Sequence, residues 1–569
     1  MRWLTPSPDD ATVSNLSRQC QLSAVAARLL AGRGFRSSED TEAFLSPGLG
    51  SLSDPLLPGR MQEAVERLEL ALKREESVLI FGDYDVDGVT STVFLTHFLR
   101  RFGLNPRYVV PKRLEEGYGL SIESLQRALE KGKPDLLIAV DCGTGSSTEV
   151  AWLRERDISV IILDHHASKE SLPEDCILMN PHVHDAEDAP WKNLCAVGLV
   201  FKFCHAFLKV MRAKADPLAA KTDLREYLDL VAMGTVADLV PLEGENRILV
   251  RQGLRHLQQC RRPGICALIE AAGLNLGDKL TPVDIGFRLG PRINAGGRLD
   301  EATLPIRLLL EEDSQFCKGV AKKLDAFNRE RQEIERGIAL MAERAVKETF
   351  PEDTGIVVAS GDWHAGVVGI VASRLARQFN RPTLVLGSEN DGFLKGSGRS
   401  VEGVNLVEIL NACSGHIQQW GGHPMAVGLT VAEEEVPHLR AAFNAALDTL
   451  FPKGLPEPSL QVDAWARPDE LTEDLLQELD RISPFGMGNP EPVFALKGVE
   501  VATLNPMGKL HLRFTLRGSN GQLPLEGMSW NGSDNPPPLD SPIDMAVRFA
   551  WNVWRGERTP RITLLDWRN

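Results

Sequence analysis

The informative side chains are acids and histidines, because they fall where apolar runs end. Val78–Phe81 leads into Gly82-Asp83-Tyr84-Asp85-Val86-Asp87-Gly88, Leu136–Val140 into Asp141-Cys142-Gly143, and Val160–Leu163 into Asp164-His165-His166. Another acid, Asp238, closes Gly234-Thr235-Val236-Ala237-Asp238 just past an apolar stretch. Crowded carboxylates repel, and some are forced to protonate unless cations neutralise them. Carboxylates with one or two imidazoles and no thiolate suit Mn²⁺ or Mg²⁺ better than zinc. Two such ions, about 3.5–4 Å apart, can bind a phosphoryl oxygen, generate hydroxide and stabilise a leaving oxygen.

Other readings of these residues fare worse. Asp83-x-Asp85-x-Asp87-Gly88 copies the start of an EF-hand calcium loop, but the position that needs a bidentate Glu holds Phe94. Asp85-Val86-Asp87-Gly88-Val89 also fits the nucleophilic loop of haloacid-dehalogenase-type phosphatases, which leaves Asp164-His165-His166 unexplained. Turns rich in Asp and Gly with helix-capping duties are the ordinary explanation of any one cluster. Placement of each cluster after a strand argues against it, and gives the His pair, weak alone, its meaning.

The elements that must position these residues follow from the pattern between them. Short apolar runs (Ser77–Phe81, Tyr108–Val110, Asp135–Val140, Ser159–Leu163) alternate with helical stretches (Thr90–Phe102, Ile122–Glu130, Ser147–Asp157). That predicts βαβ units around a buried parallel sheet, whose ligands bind beyond the carboxyl ends of the strands. A front segment looks helical around Leu16–Arg33, and Leu218–Ala237 begins as a helix. Glu311–Phe350, free of proline and dense in Lys, Arg and Glu, predicts one or two long connecting helices. A second α/β unit follows, with strands near Gly355–Ser360 and Pro382–Gly387 around a helix at Val367–Phe379, and then a proline-rich hinge at Phe451–Pro458. Val493–Thr503, Leu510–Arg517, Met545–Val553 and Arg561–Trp567 predict a small all-β tail, a five-stranded barrel. Its Trp551, Trp554 and Trp567, interleaved with Arg548, Arg555, Arg558 and Arg561, suit stacking on unpaired bases.

Bulk properties bound these readings. A chain of 569 residues, at about 100–200 per domain, implies several units. No apolar run is long enough to span a membrane, and the first residues show no secretory pattern. The nine scattered cysteines, Cys260 and Cys266 among them, read as reduced thiols of a cytoplasmic protein. A net charge of −15 argues against wholesale electrostatic binding to nucleic acid, but not against a local basic channel.

The ordered motifs around Asp85, Asp141, Asp164-His165-His166 and Asp238 resemble those of the DHH phosphoesterases. Gly290-Pro-Arg-Ile-Asn-Ala-Gly-Gly-Arg298-Leu-Asp300, Trp363-His-Ala-Gly-Val-Val-Gly369, Lys395-Gly-Ser-Gly-Arg399-Ser400 and Gly421-Gly-His-Pro-Met-Ala426 narrow the resemblance to RecJ exonucleases, over roughly residues 60–430. The tail matches only in length and β character. The resemblance implies an α/β chain: an N-terminal segment (1–55), a parallel-sheet DHH domain (56–310), a long helix (311–350), a smaller α/β DHHA1 domain (351–451) and an OB-like β-barrel (459–569).

It also implies a single-stranded-DNA-specific 5′→3′ exonuclease of repair and recombination, working by two-metal catalysis. Asp85, Asp87, Asp141, His165 and Asp238 are then the ligands of two Mn²⁺ or Mg²⁺ ions, with Asp141 bridging. His166 contacts the scissile phosphate, and Asp83 orients a ligand or water. Arg113, beside the metal rim, and Arg298, Ser397, Arg399 and His423, on Gly-rich loops, hold the substrate. The last four form a pocket for the 5′-terminal phosphate, facing the metals across a cleft. Implied partners are single-stranded DNA, a single-strand-binding protein and a repair helicase, with a cytoplasmic monomer and no membrane. Cys142 departs from the family's frequent Asn, and Pro424 restricts His423 to extended geometry. A DHH phosphodiesterase for pyrophosphate, short oligonucleotides or cyclic dinucleotides is the nearest alternative; the extra front and tail argue for a longer polymer. A non-catalytic replication scaffold is the alternative of another class, opposed by the intact ligand positions.

Overall fold

The computed structural model describes residues 1–112, 116–117, 119–167, 171–297, 302–390, 392–518, 525–554 and 557–569, with backbone alone at 389, 390 and 554. It divides into two compact units, one of Met1–Leu4 with Ala326–Leu460, the other of Thr5–Asp325 with Gln461–Asn569.

In the larger unit the apolar runs become five parallel strands: β1 (Val78–Gly82), β2 (Arg107–Val109), β3 (Leu136–Val140), β4 (Ser159–Leu163) and β5 (Ile177–Met179), in the order β2-β1-β3-β4-β5. Every residue of β1 and β3 is buried, as a sheet covered on both faces requires. α1 (Val86–Arg101) and α2 (Ala196–Ala213) pack on the sheet, α3 (Leu228–Ala237) packs on both of them, α4 (Gly244–Gln258) on α3, and α5 (Gly290–Gly296) on α1. The stretch expected to start one helix at Leu218 is divided, because Asp223 turns its side chain onto the Arg225 N–H and restarts the chain. Likewise the front segment forms Asp10–Gln19 and Ala24–Gly32, each with its own side-chain cap, from Asp9 and Ser23.

One long helix, α6 (Ser314–Glu348, 35 residues), answers the proline-free stretch. The smaller unit carries β6 (Ile356–His364), α7 (Val368–Phe379), β7 (Thr383–Asn390), β8 (Phe393–Arg399), β9 (Gln419–His423) and β10 (Ala426–Ala432), in the sheet order β9-β10-β8-β7-β6. The β6–β7 pair is parallel and the others antiparallel. Leu375, Val371 and Val368 of α7 pack with Val385 on one face. Phe443, Leu447 and Leu406, from helices Leu406–Ala412 and Val436–Leu450, cover the other.

The tail has seven strands rather than the expected five: β11 (Ala464–Ala466), β12 (Val493–Val499), β13 (Val501–Met507), β14 (His511–Leu516), β15 (Glu526–Ser529), β16 (Ile543–Trp554) and β17 (Glu557–Arg568). The run at 493–503 breaks at Glu500, and two strands of three and four residues are too short to show periodicity. Phe494, Phe514, Met545 and Ile562 of the tail share a core with Leu16, Val25, Leu29 and Leu45 of the front helices. Trp551 and Trp567, partly buried, also pack against this core. Trp554 (side chain) and Arg555 lie outside the described residues.

Cys260 and Cys266 form a disulfide, against the expectation that all thiols are reduced; the other seven cysteines are free and buried. Cys260 ends α4 in the left-handed conformation (φ 50°), which reverses the chain and brings Cys266 of the next helix back to it, Cα–Cα 5.4 Å. No helix among the described residues is long and apolar enough to cross a membrane.

Arg247 of α4 is 2% exposed and bonds three carbonyls, those of Phe44, Arg481 and Ser483, each at 3.1 Å, while its guanidinium lies 3.7 Å over the Phe44 ring. Burial and the neighbouring Arg251 and Arg33 pull its pKa down to about 9. It thus ties the sheet domain to both chain ends. Arg247→Ala leaves buried carbonyls short of donors and should lower stability by about 3 kcal/mol, read as an earlier midpoint in chemical denaturation. An unchanged midpoint would refute the tie.

Candidate metal centre

The sheet register builds the site. Gly82 pairs with Val140, Val140 with Leu163, and Leu163 with Met179. The next residues, Asp83, Asp141, Asp164 and Asn180, therefore leave the carboxyl edge side by side. The Asp141 N–H still donates to Leu163 O (3.0 Å) and the Asp164 N–H to Met179 O (3.1 Å), extending the ladder by one rung. Asp141 then takes φ 65°, the left-handed conformation that Asp tolerates better than most residues, and turns its side chain back over the edge.

Asp85 and Asp87 come from the other side of the same loop. Asp85 caps α1, one oxygen accepting from the N–H groups of Asp87 (2.9 Å) and Gly88 (3.1 Å). Asp87 is buried, and its two oxygens accept from Ala196 N–H (2.7 Å) and Val197 N–H (2.8 Å), the first residues of α2. A helix N-terminus thus faces the carboxylate and favours its charge. Gly234 of α3 leaves the room: a Cβ there would stand 2.8 Å from Asp87 Oδ1 and 2.6 Å from Thr90 Oγ1. Asp238 follows from the end of the same helix.

These residues converge. His165 Nε2 lies 3.3 Å from Asp141 Oδ1, 3.4 Å from Asp238 Oδ2 and 3.9 Å from Asp87 Oδ2. Three groups could each hold a metal ion: Asp87, His165 and Asp238; Asp83, Asp85 and Asp141; and Asp141, His165 and His166. All five expected ligands are included, and Asp83, expected behind them, stands in a ligating group. The donor set fits divalent cations. His165 Nε2 and Asp238 Oδ2 are buried with no hydrogen bond among the described residues, which without a cation would be costly. Burial, then the neighbouring carboxylates, pushes Asp87 up to about 7, Asp238 to about 8 and Asp141 well above the usual range. Burial and His166 hold His165 down at about 4, neutral and able to ligate. Carboxylate and imidazole without thiolate suit Mn²⁺ or Mg²⁺; Cys142 is buried with its Sγ 3.6 Å from Val140 O.

His166 is set differently. Burial opposes its charge, but its Nδ1 lies 2.7 Å from Asp164 Oδ1, and that carboxylate, with Asp238 and Asp85 beyond, pushes it up to about 9. Asp164 Oδ2 accepts from both N–H (2.9 Å) and Oγ1–H (2.6 Å) of Thr144, on the loop that carries Asp141. Asp164 is held below the usual carboxylate range, the bonds from His166 and Thr144 overcoming burial. It is an orienting group rather than a ligand.

Of the expected substrate residues, Arg113 and Arg298 lie outside the described residues. Ser397 and Arg399 lie on β8 and His423 at the end of β9, not on loops: the glycines between them serve close strand packing. A Cβ on Gly396 or Gly398 would meet Leu386 or Leu384 within 3.0 Å. Arg399 pairs with Ala426, and Ala426 with His423, so both share one row and one sheet face. Arg399 Nη1 donates to Ser397 Oγ at 2.8 Å. The pair sits under the first turn of α7, where a Cβ on Gly369 would be 3.0 Å from Ser397 Oγ and 3.3 Å from Arg399 Nη2. Guanidinium, hydroxyl and helix N-terminus together suit an anion. The sequence pattern had no signal for Thr144 or the amides of Ala196 and Val197, and marked Gly234 only as the start of a motif, because their roles depend on partners distant in the chain.

Family models match three segments: DHH family, N-terminal domain, over residues 77–235; DHHA1 domain over 353–449; and RecJ OB domain over 462–566. The single-stranded-DNA-specific exonuclease RecJ of Bacillus subtilis (strain 168) is 34% identical over 569 residues, 100% of this chain and 70% of the relative. That of Escherichia coli (strain K12) is 35% identical over 555 residues, 94% of each. The crystal structure of RecJ in complex with Mn²⁺ from Thermus thermophilus matches with a TM-score of 0.83 at 30% identity, covering 100% of this chain and 79% of that one; the Mg²⁺ complex from the same organism matches at 0.78 and 28%, covering 100% and 78%.

Two outcomes follow from the cage. Gly234→Ala should displace the Asp87 carboxylate and weaken Mn²⁺ binding to chelator-stripped protein roughly 10–100-fold; a calorimetric titration matching the parent would refute that. Asp238→Asn should stabilise the metal-free protein at pH 8. A carboxyl whose pKa is raised on folding to about 8 makes stability fall as pH rises from the unfolded value toward that figure. The gain should shrink toward pH 4. Equal melting temperatures of the stripped proteins at pH 8 would count against burial and like-charge crowding as a cost at Asp238.

Proposed function

From the premise that the chain belongs to the RecJ family of DHH phosphoesterases, we propose that it hydrolyses phosphodiester bonds of single-stranded DNA from the 5′ end, using two Mn²⁺ or Mg²⁺ ions. The observation that carries the reading is the convergence of Asp87, Asp141, His165 and Asp238, with His165 Nε2 and Asp238 Oδ2 buried and lacking hydrogen bonds among the described residues.

Asp87, His165 and Asp238 would hold one cation and Asp83, Asp85 and Asp141 the other, with Asp141, close to His165, reaching both. Bound there, the cations supply Lewis acidity that activates water and polarises the phosphoryl group. His166, its Nδ1 proton held by Asp164, presents Nε2–H to a phosphoryl oxygen and stabilises charge developing there. The amides of Ala196 and Val197 and the Asp85 cap fix the carboxylates before substrate arrives. Ser397, Arg399 and His423 take the 5′-terminal phosphate; Arg113 is assigned to the substrate on its place after a strand near the metal rim, and Arg298 on the family motif. We place the protein in the cytoplasm, in repair and recombination, alongside a single-strand-binding protein and a helicase.

The test is an oligonucleotide of tens of residues, 5′-phosphorylated and labelled at either end, with Mn²⁺ or chelator. The 5′ label should appear first, as mononucleotide, and only with metal. Asp141→Ala should lower kcat on the order of 10³-fold, the several kcal/mol that the metals supply. Loss from the 3′ end, or turnover of dinucleotides alone, would overturn the reading.

A further inference from the structure

The row at the carboxyl edge of the sheet has a fourth member without charge. Asn180, directly after β5 and 1% exposed, stands beside Asp164 as Asp164 stands beside Asp141. Its Oδ1 accepts from His182 N–H at 2.9 Å, capping the short helix Pro181–His184. A peptide N–H can only donate, so this bond fixes which end of the amide is oxygen. The Nδ2 then donates twice, to Thr144 Oγ1 (2.9 Å) and to His166 O (2.9 Å).

These bonds form a directed chain. Asn180 Nδ2–H donates to Thr144 Oγ1, Thr144 Oγ1–H to Asp164 Oδ2, and the other Asp164 oxygen takes the His166 ring. Receiving a bond at its oxygen leaves the Thr144 hydroxyl proton one direction to point, toward Asp164. The second Nδ2 bond holds the His166 main chain directly. One amide therefore pins the loops after β3, β4 and β5, those carrying Asp141, His165-His166 and the short helix. An Asp here would keep the cap yet place acceptor against acceptor at both Thr144 and His166.

We propose that Asn180 is a positioning residue for the proposed phosphodiester hydrolysis: it sets the direction of the Thr144–Asp164 bond and thereby the His166 ring that meets the scissile phosphate. This rests on the nuclease reading above. Asn180 bonds Thr144 and the His166 main chain, while Asp141 and Asp164 keep their own ladder bonds to the sheet, so its loss should leave the metal cage standing.

The experiment compares Asn180→Asp and Asn180→Ala with the full-length parent. Both should lower kcat roughly 10–100-fold, with KM and Mn²⁺ affinity within about threefold. Asn180→Asp, which keeps the helix cap, should lose activity as fully as Asn180→Ala. Thr144→Ala combined with Asn180→Ala should be no worse than the more damaging single change, since both interrupt one chain. In ¹⁵N-histidine-labelled protein, the ring signals of His166 should shift and broaden in both Asn180 variants while those of His423 stay. Parental turnover with unshifted His166 signals would overturn the proposal. So would a loss of rate that merely follows a matching loss of Mn²⁺ affinity or melting temperature. A parent without nuclease activity would sink the nuclease reading instead, and the histidine signals would still decide whether Asn180 sets the ring.

Discussion

Like charges forced together at one edge of a sheet govern this molecule. Asp83, Asp85, Asp87, Asp141 and Asp238 converge at one site, and burial raises the cost of ionising Asp87, Asp141 and Asp238. Backbone amides ease this in part: two at the start of α1 for Asp85 and two at the start of α2 for Asp87. Amides reduce the repulsion without filling the space a cation needs, whereas a guanidinium would satisfy the oxygens and close the site. The left-handed backbone of Asp141 belongs to the same arrangement, since its turn puts the carboxylate over the strand ends.

The rigidity of the parallel sheet makes such crowding tolerable. β1, β3, β4 and β5 are in register at their last residues, so side chains from four distant segments leave at one level. The buried sheet sets the spacing, and the acids have no freedom to retreat into solvent. Asn180 and Thr144 then convert spacing into orientation, because a ring can rotate about its own bonds while a hydrogen-bonded chain fixes it.

Much of this was legible in the sequence, for a definite reason. Strands buried on both faces read as unbroken apolar runs, and chemistry-bearing residues directly after them can only lie at the carboxyl edge. Position therefore brought Asp85, Asp87, Asp141 and His165 to one rim, with Asp238 just past an apolar stretch, while their choice as a ligand set came from the family resemblance; the long helix was read from its lack of proline. What escaped was pairwise. Nothing in Gly234 or Asn180 marks its neighbour in space. The glycines near Ser397 and Arg399 suggested loops, whereas they admit close strand packing. Tail strands of three or four residues carry too little periodicity to be counted, and a left-handed turn at Cys260 cannot be seen before its partner Cys266.

The net charge of −15 acquires a meaning from the same geometry. Two divalent cations would bring about four positive charges to a cluster of five converging carboxylates and Asp164 besides, so the loaded site would stay close to neutral or slightly negative once His166 is counted. It can grip the phosphoryl oxygens that touch the ions but offers little long-range attraction to the rest of a polyanion. Several of the larger unit's arginines are committed elsewhere: Arg247 and Arg251 to carbonyls, Arg33 to Asp463, Arg262 to Asp229. In the reading proposed above, a few placed cations and hydroxyls help to retain the strand. The Ser397–Arg399 pair under α7 has that character, a single phosphate-sized recognition point instead of a track. A single point of this kind suits a terminus, which offers a distinct phosphate, better than an interior position, which offers only repeats.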